Sequence, residues 1–108
     1  MANDGTSRRV MTKARPKIAR TYKITGRVQG VGFRYFAEGR ANQLGVAGYV
    51  KNCWDGSVEV YAIADEVTLE QFKRQLAEGP RSARVAALEE SEEAVNSRYT
   101  GFVIEGGW

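Results

Sequence analysis

Between Gly26 and Arg34 the chain reads Gly-Arg-Val-Gln-Gly-Val-Gly-Phe-Arg, with an alternating segment before it and apolar residues at helical spacing after it. A strand must therefore end, turn sharply and open a helix within a few residues, and Gly26, Gly30 and Gly32 supply the backbone freedom for that turn. The first N–H groups of a helix lack partners and lie at its positive dipole end, which suits an oxyanion. Arg34 falls in the same first turn, where the dipole repels a cation unless an anion is bound. Its guanidinium is a planar fork of donors matched to phosphate oxygens. The segment predicts a phosphoryl cradle formed by the backbone amides of Gln29, Gly30, Val31, Gly32 and Phe33 together with Arg34.

Other phosphate-binding loops do not fit. Tyr35 stands where a dinucleotide-binding fingerprint needs its third glycine, and no Gly-Lys-Ser/Thr of a Walker loop follows. A Cys-x5-Arg phosphatase loop would need cysteine at Val28. A tight strand-to-helix connection without a ligand would use the same glycines. Gln29 fits two roles equally, as a ligand contact or as a hydrogen-bonding brace of the loop.

The rest of the chain sets the fold class. Arg20 to Val28 alternates as a strand, with Tyr22, Ile24 and Gly26 on one side. Phe33, Phe36, Ala37, Ala41 and Leu44 form a helical stripe that Gly45 ends. Val46 to Cys53 and Val58 to Ile63 are strands joined at Asp55-Gly56, a strong hairpin signal. Asp65 or Thr68 caps a second helix with Leu69, Phe72 and Leu76 inward, closed by Gly79-Pro80. Arg84 to Glu90 follows as a strand with Val85 and Ala87 on one face, then a polar stretch, then a short strand from Tyr99 to Ile104. The order βαββαβ plus one strand predicts an α+β, ferredoxin-like sandwich, an antiparallel sheet with two helices on one face and a short extra C-terminal strand. Phe33, Phe36, Phe72 and Phe102 are expected in its core.

At 108 residues one domain is expected. Residues 1–20 hold six Lys/Arg and one Asp/Glu, and the remainder holds ten against twelve. The basic character therefore belongs to the start of the chain, read as a solvated extension over residues 1–19 before a domain at 20–108. No apolar run approaches a membrane span, and no secretory signal opens the chain. With no histidine and a single cysteine, Cys53, neither a Cys/His metal site nor a nucleophile–histidine pair is expected. The same usage suits a cytoplasmic protein.

The segment Gly26–Arg34 resembles the signature of the acylphosphatases, and Gly48-Tyr49-Val50-Lys51-Asn52 resembles that family's second signature, in the right order. The resemblance spans roughly Arg20 to Glu105, with Tyr49 standing where the family commonly has tryptophan. It implies metal-independent hydrolysis of an acyl phosphate to a carboxylate and inorganic phosphate, without a cofactor. It also implies that Asn52 orients the attacking water while Arg34 and the loop hold the phosphoryl group. Crossover topology makes the second strand parallel to the first, so Asn52 ends at the edge that carries the loop. A small-molecule acyl phosphate is the expected partner, inorganic phosphate or sulfate the expected competing anion, and a monomer the expected state. Neither membrane nor nucleic acid is expected, since no aromatic RNA-recognition motif occurs on the strands. Two rivals remain: a non-catalytic anion-binding module, and an accessory role like that of the acylphosphatase-like domain in larger carbamoyl-transfer maturation enzymes.

Overall fold

Tyr22 and Ile24, fully buried, alternate with Lys23 and Thr25 along β1 (Ile18–Arg27) and set which side of the sheet the helices cover. The computed structural model describes residues 15–106. After β1 come α1 (Phe33–Leu44), β2 (Ala47–Asn52), β3 (Val58–Ala64), α2 (Glu66–Glu78), β4 (Arg84–Glu93) and β5 (Phe102–Ile104). The sheet order is β4-β1-β3-β2-β5. The first four strands pair antiparallel, whereas β5 joins β2 in parallel, so the sheet is mixed at that edge. This is the expected ferredoxin-like sandwich with one added strand.

One core lies between the helices and the sheet. Phe33, Ala37 and Ala41 of α1 and Leu69, Phe72 and Leu76 of α2 pack on Tyr22, Ile24, Val50, Val58, Val60 and Ala62. Phe72 links the layers, meeting Tyr22 and Phe102 edge-on at 6.5 and 5.9 Å. Phe36 departs from expectation. The buried stripe of α1 runs through positions spaced by four, which leaves Phe36 at its margin, half-buried beneath the Arg40 guanidinium at 5.1 Å. Asp65 is the α2 cap, its carboxylate accepting the Thr68 N–H at 2.8 Å.

Strand boundaries also shift. β1 begins at Ile18, two residues before the expected domain start, and Ala19 is buried against Tyr61 and Ile63 on the open face. The first fourteen residues of the expected extension, and Gly107 and Trp108, lie outside the described residues. β4 runs on to Glu93, and its register slips between Thr25 and Gly26, which pair with Ala87 and Val85. Ala86 is thus an extra residue in the ladder. Val85 and Leu88, not Val85 and Ala87, turn toward the core. Tyr99 precedes β5 and packs its ring on Tyr49 and Tyr61. Among the described residues no helix is long and apolar enough to cross a membrane.

Candidate active site

The ends of β1 and β2 meet at one edge of the sheet, and α1 starts there. Gly30 and Gly32 both take φ near +75° (73° and 78°), which curls the loop so that α1 opens directly from it. Gly32 is the N-cap and offers no side chain to the helix, and the first turn holds no acidic residue. The first helical bond runs from the Phe36 N–H to the Gly32 carbonyl at 3.0 Å, which leaves the N–H groups of the opening turn uncapped. A cavity of about 70 Å³ lies in front of that turn, lined by Val28, Gly30, Gly32, Phe33, Arg34, Tyr35 and Asn52. Such a space suits a phosphoryl-sized group.

Two side chains give this cavity its chemistry. Arg34 is half-buried and forms no ion pair among the described residues. Asn52, at the end of β2, is only 8 % exposed, and its Oδ1 is buried with no hydrogen-bond partner. A buried amide oxygen left unpaired costs free energy unless a ligand or water donates to it. The lining carries no carboxylate. The site therefore has a cationic fork, a helix N-terminus and one orphaned acceptor.

The loop is held from both sides. Gln29 Nε2 donates to the carbonyls of Cys53 and Ser57, each at 2.8 Å, which ties the loop to the β2–β3 hairpin. Ser82 Oγ donates to the Val31 carbonyl at 2.7 Å from the turn after α2. The hairpin is itself fixed by Asp55, whose carboxylate accepts from the Ser57 N–H and hydroxyl and pairs with Lys23 at 2.9 Å. The Ser57 hydroxyl and N–H, then Lys23, hold the Asp55 carboxyl far below the usual aspartate range.

Of the residues expected at the site, Gly30, Gly32, Phe33, Arg34 and Asn52 line one cavity. The side chains of Gln29 and Val31 do not line it. Gln29 is a brace, and Val31 packs its side chain against the core while Ser82 holds its carbonyl. Ser57, Ser82 and the Lys23–Asp55 pair carried no signal of a site role, because each acts through a tertiary contact. Tyr49 is a packing residue, stacked on Tyr61 at 5.5 Å on the open sheet face.

A ferredoxin-like sandwich with a glycine-turned helix N-terminus, an arginine and an orphaned amide around one cavity defines an α+β domain whose loop–helix junction suits an anion. The sequence model of the acylphosphatase family matches residues 20–104. An acylphosphatase from Koribacter versatilis is 47 % identical over 89 residues, which cover 82 % of this chain and 81 % of the relative. The crystal structure of the Bacillus subtilis acylphosphatase superposes with a TM-score of 0.79 at 34 % identity, covering 82 % of this chain and 99 % of that one. Full-length HypF in its phosphate- and nucleotide-bound form gives 0.77 at 28 % identity, over 88 % of this chain but 12 % of the larger protein. The chain belongs to the acylphosphatase family. It is a hydrolase whose reaction splits an acyl phosphate into a carboxylate and inorganic phosphate.

Proposed function

We propose that the backbone amides of the Gln29–Phe33 loop and the Arg34 guanidinium hold the transferring phosphoryl group, and that Asn52 aims the attacking water. The orphaned Oδ1 of Asn52, in the same cavity as Arg34, carries this reading. A water donating to that oxygen directs a lone pair toward a phosphorus held at the helix N-terminus. Attack forms the new P–O bond as the bond to the acyl oxygen breaks, and the carboxylate leaves with the electron pair. Its conjugate acid has a pKa of about 4, so no general acid is needed. The water's proton passes to a phosphate oxygen. A loose transition state asks mainly for positioning and charge stabilisation, which Arg34 and the amides provide without a metal.

The same reading makes inorganic phosphate and sulfate competitive inhibitors. It also describes a cytoplasmic monomer. The lone thiol of Cys53 suits a reducing compartment. The edge strand β4 carries Glu89, Glu92 and Glu93, whose charge opposes pairing with a second copy.

Asn52→Ala tests the assignment. Loss of water positioning lowers kcat by on the order of a hundredfold, while the inhibition constant of inorganic phosphate stays near its wild-type value. Full kcat in the variant, or phosphate affinity falling in step with turnover, would overturn it.

A further inference from the structure

The face of the sheet turned away from the helices holds a second cavity, of about 440 Å³, whose lining includes three tyrosines and two carboxylates. Thr21, Tyr61 and Tyr49 stand side by side on β1, β3 and β2 and form its floor. Tyr99 lies against both other rings, its centre 5.7 Å from each. Tyr49 and Tyr61 are themselves 5.5 Å apart, so the rings pack into one wall and enclose no box. Hydrogen bonds fix that wall. The Tyr61 hydroxyl donates to the Ala94 carbonyl at 2.6 Å and accepts the Asn96 N–H at 2.8 Å. Tyr49 donates to Glu59 and Tyr99 to Glu105.

Charge says what such a surface attracts. Glu59 and Glu93 line the cavity, and no lysine or arginine does. Glu59 lies across from Lys23 of β1 and Glu93 across from Ala19, so the carboxylates stand at opposite ends of the row through Thr21. Four steps along β1 and two strand spacings set their Cα atoms about 16 Å apart. Lys23 is turned to Asp55 at 2.9 Å, and Glu93 forms no ion pair among the described residues. Lys51, outside the lining, holds its ammonium 5.7 Å from the Tyr49 ring centre and 3.9 Å from Glu59. Those are the two contacts an external cation would make. We propose that this cavity binds a linear polyamine, with an ammonium at each carboxylate and the methylene stem along the tyrosine wall. The volume lies within the roughly 300–1,000 Å³ of small-molecule sites. A packed wall with a charge at either end suits an extended dication better than a compact trimethylammonium head, which needs rings around it.

Calorimetric titration of the full chain with spermidine tests this, beside titrations with propylamine and with a lysine-rich peptide. Spermidine is expected to saturate one site and to bind on the order of tenfold more tightly than propylamine, which reaches one carboxylate only. Glu59→Gln and Glu93→Gln should each weaken spermidine by about threefold or more. Tyr99→Leu should weaken it by about threefold, whereas Tyr99→Phe keeps the ring and the affinity. Lys51→Met removes the internal competitor and should tighten binding. Glu89→Gln, on the same strand as Glu93 but outside the lining, should leave it unchanged. Thermal melts accompany each variant, and the exposed Glu93 keeps the test decisive if Tyr99→Leu fails to fold. Absence of a saturable heat, or unchanged affinity in both Glu59→Gln and Glu93→Gln, would overturn the site. So would Glu89→Gln weakening spermidine as much as Glu93→Gln, which would mean diffuse attraction to an acidic strand. Tighter binding of the peptide, lost in the same variants, would overturn the small-ligand reading and assign the face to a protein partner.

Discussion

Arg34 occupies a position that a helix alone disfavours, since its charge meets the positive end of α1 with no carboxylate in the first turn. A bound anion resolves that conflict, and a planar anion-matching fork does so better than a point charge. Arg34→Lys is therefore expected to be nearly as damaging as Arg34→Ala, each lowering turnover by on the order of a thousandfold. Steady-state kinetics with acetyl phosphate, beside a native circular dichroism spectrum, check this; full activity in Arg34→Lys would refute the fork. That Arg34 and Asn52 share one cavity was legible in the sequence, Arg34 through its place in a helix-opening motif and Asn52 through the family signature that carries it. The two roles open to Gln29 were not separable there, because its partners lie 24 and 28 residues away. Ser82 was invisible for the same reason, acting on Val31 across 51 residues. Phe36 was misread because a stripe fixes a direction around the helix but not how far burial reaches to either side.

At the level of elements, periodicity and turn residues gave all seven strands and helices in order. What they could not give was register. The extra residue at Ala86 interrupts the alternation of β4, so a strict period of two assigned Ala87 to the wrong face. The parallel seating of β5 on β2 depends on Gly48, whose N–H donates to the Gly101 carbonyl at 3.0 Å. Gly48 has φ of +136°, and a Cβ there would lie 1.8 Å from the Tyr61 carbonyl oxygen on the neighbouring strand. No side-chain movement relieves a clash with backbone. Gly48→Ala should therefore cost about 3 kcal/mol, and for a domain of this size the melting temperature should fall by on the order of 10–20 °C. Urea and thermal unfolding measure this directly, and a variant as stable as wild type would show that β2 and β3 can part without penalty.

Across the whole molecule, charge and burial set the remaining expectations. The first fourteen residues hold Arg8, Arg9 and Lys13 against Asp4 and have no apolar periodicity. Removing them, while keeping Ile18 and Ala19 for β1, should leave the melting temperature and kcat/KM near wild type; a drop of several degrees would make the extension structural. Stability at high pH depends on Tyr22, at the centre of β1 beneath α2. Burial, reinforced by Glu90, raises its phenol from 10.0 to about 12, against an opposing effect of Arg20. The unfolded chain then loses the phenolic proton first, so the folded state is favoured fully below pH 10 and loses that advantage as pH climbs to about 12. Two pKa units correspond to at most about 2–3 kcal/mol. Tyr49, raised chiefly by burial, and Tyr99, raised chiefly by its bond to Glu105, act in the same direction. Tyr22→Phe should therefore flatten the alkaline limb without abolishing it. Urea unfolding free energies of wild type and Tyr22→Phe at pH 9 and near pH 12 give the two slopes. Equal slopes would mean that the ionised phenol is accommodated in the fold, and that the layer between β1 and α2 opens before Tyr22 titrates.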